Sequence, residues 1–168
     1  LYDRIRSLSK PLVMALNGVA AGSAFQVALL GDFRIAHDGV TMGQPEINSG
    51  IASTTGPWIM REMIGIARTI DLTLSGRMMD AEEAYRIGLI NRIVPRERVM
   101  AEAMALAQEL AEKPPVAMRL NKARFREVTD DSARPLLRYL VPPTLSEADT
   151  RKVFAETPEK FDPRDYLK

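Results

Sequence analysis

Residues 17–46 run N-G-V-A-A-G-S-A-F-Q-V-A-L-L-G-D-F-R-I-A-H-D-G-V-T-M-G-Q-P-E, and this order narrows the folds open to the chain. The apolar run at 12–16 suits a buried strand, and Asn17-Gly18 turns the chain behind it. Residues 20–24 are small enough for close backbone approach. Phe25, Ala28 and Leu29 then fall at helical spacing, in a helix that ends near Gly31. Strands are expected at 33–36 and at 40–42, on either side of an Asp38-Gly39 turn, and Glu46 follows. Small residues at a helix start leave backbone N–H groups open to an oxyanion, and a nearby carboxylate can move protons. Together they point to chemistry beside a carbonyl.

The remainder of the chain becomes helical. Helices are expected over 54–65 and 67–75, with Pro57 tolerated in a first turn. Asp80 is placed to cap a helix over 81–87 that Gly88 stops, and a strand is expected at 89–94. Val99, Ala103, Leu106 and Leu110 mark one helical face, and Pro114-Pro115 starts a further helix to about residue 128. From Pro142 the tail is polar and interrupted by prolines, which fits a short helix and an extended end. Leu1 opens inside what reads as a helix tail over residues 1–9, so a preceding segment is expected.

Composition closes off several functions. A net charge of +1, from 23 Lys plus Arg against 22 Asp plus Glu, gives no case for nucleic acid or an anionic membrane. Zero cysteines exclude disulfides, thiolate catalysis and cysteine-based zinc sites. No apolar run nears the roughly 20 residues that span a bilayer, and no signal-peptide pattern is present. A cytoplasmic protein is the expectation. No carboxylate–histidine cluster has metal spacing, so no metal is expected.

Several motifs in fixed order resemble the enoyl-CoA hydratase/isomerase (crotonase) superfamily. Lys10-Pro11, a hydrophobic strand and Asn17-Gly18-x-Ala20-x-Gly22 match its oxyanion-hole segment, and Asp32 with Gly43-Gln44-Pro45-Glu46 matches its next signature. Ser75-Gly76 followed by Ala81-x-Glu83-Ala84-x-x-x-Gly88-Leu89-Ile90 is similar to its characteristic helix and strand. Ser146-Glu147 and Phe154-x-Glu156 echo its closing motif more weakly. The resemblance implies an α/β (α+β) fold: ββα turns wound into a spiral, then helices that mediate trimerisation. Residues 1–95 would be the later part of that spiral, N-terminally truncated, and residues 96–168 the C-terminal helical region.

The resemblance also implies an acyl-CoA thioester substrate, with coenzyme A as part of it and no separate cofactor, and a homotrimer or dimer of trimers acting in fatty acid metabolism. The backbone N–H of Ser23 would be one oxyanion donor, beside Ala21 and Gly22, with Ile51 and Trp58 lining the acyl site. Glu46 would be the acid/base. Hydratases of this superfamily typically carry a second glutamate in the helix after the oxyanion segment, where this chain has Gln26. A glutamine orients water but exchanges no proton at neutral pH. Hydration with Glu46 as acid/base and Δ3-Δ2 isomerisation by Glu46 alone therefore both stand, beside a non-catalytic or truncated scaffold member.

A second departure replaces a Gly-rich loop by residues 51–56, I-A-S-T-T-G, whose hydroxyls predict a stiffer, more polar pocket wall. Other residues read more simply as structural. His37, the only histidine, is expected at the surface in its turn. Asp32 is expected to satisfy backbone N–H groups, Met60 and Met63 to fill core, and the basic residues at 122–126 to form a solvated helix face, with a CoA phosphate contact as the sharper alternative.

Overall fold

The computed structural model describes residues 1–140, with side chains described as far as Glu127. The closing motif at Ser146, Glu147, Phe154 and Glu156, and the tail expected from Pro142, lie outside the described residues. Two compact units divide the chain, Leu1–Ser132 and Ala133–Lys168. Of the second, only the last turns of one helix are described.

The first unit opens with α1 (Tyr2–Arg6), β1 (Val13–Leu16), β2 (Ala20–Ala21) and α2 (Ser23–Leu30). It continues through β3 (Phe33–Ala36), β4 (Thr41–Gly43), a 3-10 turn at Pro45–Ser49 and α3 (Gly56–Ser75). Then come β5 (Met78–Asp80), α4 (Ala81–Arg86), β6 (Arg92–Ile93), a 3-10 turn at Arg96–Arg98 and α5 (Val99–Ala111). The last described helix is α6 (Pro115–Leu140).

The strands form two small sheets. One has the order β1-β3-β6, all parallel, with Val13 opposite Phe33 and Ile35 opposite Arg92. The other has the order β2-β4-β5: Ala20 pairs with Met42 in parallel, and β5 returns antiparallel with Met79 opposite Met42. Because side chains alternate along a strand, β3 serves two cores. Ile35 faces Ala103 and Leu106 of α5. Ala36 faces the larger cluster with Phe25, Met42, Met60, Leu72 and Leu89.

Most expected elements are present, with differences that have physical reasons. The two helices expected over 54–75 form a single element interrupted at Gly65, whose φ of 76° leaves helical space. The small run at 20–24 contributes β2, and β5 was not expected, since M-M-D carries no alternating pattern. The strand expected at 89–94 is shorter, because the Leu89 N–H and Ile90 N–H both bond back to the Ala84 carbonyl as the α4 terminus closes. Asp80 caps α4 as expected, accepting from the Glu83 N–H at 2.7 Å.

His37 corrects an expectation: it is buried at 4% exposure. Its Nδ1 accepts the Gly39 N–H at 3.0 Å, so the ring folds back over the turn that was expected to expose it. Lys122 is a second correction, to the solvated helix face. Its ammonium grips both Asp32 oxygens at 2.8 and 2.7 Å, and its side chain is only 12% exposed. Asp32 also accepts the Leu12 N–H at 2.7 Å, as its backbone-satisfying role required. Met60 lies in the core, with Met63 partly buried against it. Among the described residues, no helix is long and apolar enough to cross a membrane.

Candidate active site

The site is built where β2 and β4 end side by side. Gly22 separates β2 from α2 with φ 56° and ψ −123°, a conformation that needs glycine, and its N–H donates to the Gly43 carbonyl at 3.0 Å. This bond ties the start of α2 to the end of β4. Ser23 is the first residue of α2 and is exposed. The first N–H groups of a helix have no intrahelical partner, and the cap residue of α2, Gly22, has no side chain to bond them.

From β4 the chain passes Gln44 into the 3-10 turn, where Pro45 occupies the first position and Glu46 the second. Gly50 closes the turn in left-handed geometry at φ 70°, and the Ile51 N–H bonds the Glu46 carbonyl at 3.1 Å. The Glu46 side chain is thereby laid against Gly22. A Cβ at Gly22 would stand 3.1 Å from Glu46 Oε1.

The two Glu46 oxygens have different surroundings. Oε1 accepts from Gln44 Nε2 at 2.6 Å and, at a longer 3.4 Å, from Gln26 Nε2. Oε2 is buried and has no hydrogen-bond partner among the described residues. Around this carboxylate the amides are themselves held. Gln26 Oε1 accepts the Tyr2 hydroxyl at 2.7 Å and the Thr55 hydroxyl at 2.6 Å. Gln44 Nε2 also reaches Ser53 Oγ at 2.6 Å. Both glutamines are nearly fully buried, at 4% and 1% exposure.

Of the residues singled out in the sequence, Gly22, Gln26 and Glu46 come together, with Ala21 and Ser23 on either side of Gly22. Ile51 lies just beyond the turn and is 59% exposed. Trp58 lies in α3, three residues after Thr55. It carries the Arg6 guanidinium over its ring at 4.8 Å and lines a cavity of about 150 Å³ with Asp32, Glu62 and Lys122, none of them part of the Glu46 cluster. His37 and Asp32 are also outside that cluster. Sequence reasoning assigned no individual role to Gln44 or Tyr2, and read Ser53 and Thr55 only as part of a polar pocket wall. The signals available were the place of Gln44 two residues before Glu46 and the hydroxyl-rich run 53–55. No group of three or more His, Cys, Asp or Glu among the described residues is arranged to hold a metal ion.

Chemically, the cluster presents one carboxylate, whose Oε2 has no hydrogen-bond partner among the described residues, next to the start of α2. Such an arrangement can take a proton from a carbon or a water and return it nearby, while N–H groups hold the negative charge that develops on an adjacent oxygen.

Comparison with known proteins identifies the family. The family model described as enoyl-CoA hydratase/isomerase matches residues 1–160. Over 129 residues the chain is 37% identical to a probable enoyl-CoA hydratase of Rhizobium meliloti, a match covering 76% of this chain and 50% of that protein. It is 34% identical over 137 residues to a carnitinyl-CoA dehydratase of Citrobacter koseri, covering 81% of this chain and 52% of that one. The solved structure of an enoyl-CoA hydratase subunit I from Geobacillus kaustophilus superimposes with a TM-score of 0.73 at 31% identity, covering 96% of this chain and 66% of that one. The chain thus spans about half the length of the curated relatives it matches.

Proposed function

The chain belongs to the enoyl-CoA hydratase/isomerase family, and from that membership we propose that it moves a proton beside the carbonyl of an acyl-CoA thioester. Glu46 is the acid/base, and the Ser23 N–H is a donor to the thioester oxygen. The observation that carries this reading is the seating of Glu46 against Gly22 at the start of α2, one oxygen anchored and the other without a partner among the described residues.

For hydration, Glu46 Oε2 takes a proton from water as the water oxygen bonds to C3 of a 2-enoyl thioester. The displaced electron pair moves onto the thioester oxygen, and the enolate collapses as Glu46 delivers the proton it took from water to C2. Each preorganised N–H donor on that oxygen is worth about 3 kcal/mol of barrier, by the measured cost of removing one from other oxyanion holes. Ser23 serves through its backbone, so its hydroxyl is dispensable.

The lone carboxylate supports a second reading. Where a second glutamate would supply or take another proton, the cluster has the neutral Gln26, so every proton transfer falls to Glu46. Glu46 can remove a proton from C2 of a 3-enoyl thioester, leaving a dienolate, and return it at C4. That is a Δ3-Δ2 isomerisation, balanced with a single base and no water.

The test is Glu46→Gln in the full-length protein, assayed for both 2-enoyl-CoA hydration and 3-enoyl-CoA isomerisation. A loss of at least about 100-fold in kcat is expected for the reaction the protein performs. A loss below about tenfold, some 1.4 kcal/mol, removes Glu46 as the base. Wild-type protein inactive on both substrates would favour the scaffold reading.

A further inference from the structure

A glutamine in place of a second glutamate admits two roles. It could hold the attacking water, or it could act on Glu46. The hydrogen bonds around Gln26 separate them. An amide oxygen has two lone pairs, and both are engaged: Tyr2 donates to Oε1 at 2.7 Å and Thr55 donates to the same atom at 2.6 Å. The amide nitrogen points the other way, to Glu46 Oε1 at 3.4 Å. Rotating the amide by half a turn would set its oxygen against the carboxylate oxygen, one acceptor facing another. The carboxylate therefore specifies the orientation, and the two hydroxyls, able to donate or accept, complete it by donating to Oε1. At 4% exposure, Gln26 has little room to adopt another.

We propose that Gln26 is a positioning residue for Glu46, held by Tyr2 and Thr55 so that its N–H, with that of Gln44, fixes Oε1 and leaves Oε2 as the proton-transferring oxygen. No acceptor on Gln26 remains for a water. The replacement of a carboxylate by an amide thus converts a proton-exchanging position into a fixed donor. Tyr2 in α1 and Thr55 ahead of α3 become part of the site through Gln26, though neither touches Glu46. The 3.4 Å contact is long for a hydrogen bond, as catalytic contacts often are before substrate binds and tightens them.

This proposal rests on Glu46 being the base, and its test separates the two. In the full-length protein, Gln26→Leu removes the donor, and the pair Tyr2→Phe with Thr55→Val frees the amide to turn while leaving it in place. Both should lower kcat by at least about tenfold with KM within about threefold of wild type, since the interaction is lost at the reacting group and not in substrate binding. A water-holding Gln26 predicts otherwise: freeing its oxygen would leave hydration intact or raise it, which would overturn the proposal. Unchanged kcat in Gln26→Leu, with activity abolished in Glu46→Gln, would also overturn it while leaving Glu46 as the base. Activity retained in Glu46→Gln would instead sink the underlying reading. Should Gln26→Leu fail to fold, the side-chain amide protons of Gln26, followed by NMR in wild type and in the near-isosteric Glu46→Gln, decide the matter. One of the two should move when the carboxylate is replaced, and no movement refutes the contact.

Discussion

Gly56→Ala offers a sharp test, because elementary helix chemistry and the packing predict opposite signs. Gly56 is the first residue of α3, and its φ lies outside the left-handed region, so alanine meets no backbone strain. On propensity alone the change should stabilise by up to about 1 kcal/mol. A Cβ there, however, would lie 2.5 Å from Gln44 Nε2, 2.6 Å from Gln44 Cδ and 2.7 Å from Ser53 Oγ. Against an ordinary contact of about 3.5 Å, that is an overlap near 1 Å. Gln44 is 1% exposed and its amide is committed to Glu46 and Ser53, so it has no free space to retreat into. Overpacking of this kind costs about 1–3 kcal/mol. Displacing the amide also weakens a hydrogen bond to a carboxylate worth about 1.5–3 kcal/mol. With the propensity gain set against partial losses of both, the net expectation is destabilisation by about 2 kcal/mol. For a chain of this size that is a fall of about 4–8 °C in Tm. Denaturant melts of Gly56→Ala, Gln44→Ala and the double variant measure it. In the Gln44→Ala background two of the three close contacts are gone and Ser53 Oγ, released from Gln44 Nε2, can rotate away, so the cost of Gly56→Ala should shrink to below about 0.5 kcal/mol. A Gly56→Ala protein as stable as wild type, or a cycle with no coupling, would refute the seating of Gln44 between Gly56 and Glu46.

Two further outcomes are expected elsewhere. Gly22→Ala places a Cβ at φ 56° and 3.1 Å from Glu46 Oε1, so it should lower kcat by more than about tenfold and stability by about 1–2 kcal/mol, read by steady-state assay and thermal melt. Arg77 bonds Glu83 at 2.7 and 2.8 Å and Asp71 at 2.7 and 3.0 Å, and its hydrogen bonds to Glu83 hold that carboxyl below the usual range. A depressed folded pKa contributes stability that is full above the unfolded value of about 4.3 and is lost as pH falls through the folded one. The Tm gap between wild type and Arg77→Met should therefore be widest near neutrality and close as pH falls below about 4, whereas a pH-independent gap would exclude the ion pair as its source.

Much of the site was legible along the chain because its backbone parts are local. Gly22 at a strand–helix junction, the small residues around it and Glu46 after Pro45 are short-range patterns with short-range causes. The hydrogen-bonding shell was not legible. Tyr2 lies 24 residues before Gln26 and Thr55 lies 29 after it, so only the fold brings the three together. The hydroxyl-rich run 53–55 was readable as polar, yet nothing local says that Ser53 and Thr55 each serve a different glutamine. His37 and Lys122 were misread for a related reason. Turn and helix-face patterns describe a residue's own element, while burial is decided by what packs over it, and Lys122 meets an aspartate 90 positions away. β5 escaped because a three-residue strand carries too little pattern to register, and it exists through its pairing with β4.

The two ends of α2 give a physical reason why its start is available for chemistry. Every helix leaves N–H groups unpaired at one end and carbonyls at the other. At the far end of α2, the buried Arg34 guanidinium takes up the carbonyls of Ala28, Leu29 and Gly31 at 3.3, 3.4 and 2.6 Å and also bonds the Leu89 carbonyl. Burial lowers its pKa to about 10, well above neutrality, so a full positive charge sits where the helix dipole favours one. The C-terminal end is thus satisfied internally and anchored to the turn after α4. The start has neither a capping side chain nor an acidic residue in its first turn. Folding stability alone would favour a cap there, worth about 1 kcal/mol. Glycine at the cap position instead brings Glu46 against the helix start and keeps the first N–H groups open to a ligand oxygen. A cap would occupy the donors that the proposed chemistry needs, so anchoring falls to Arg34 at the opposite end.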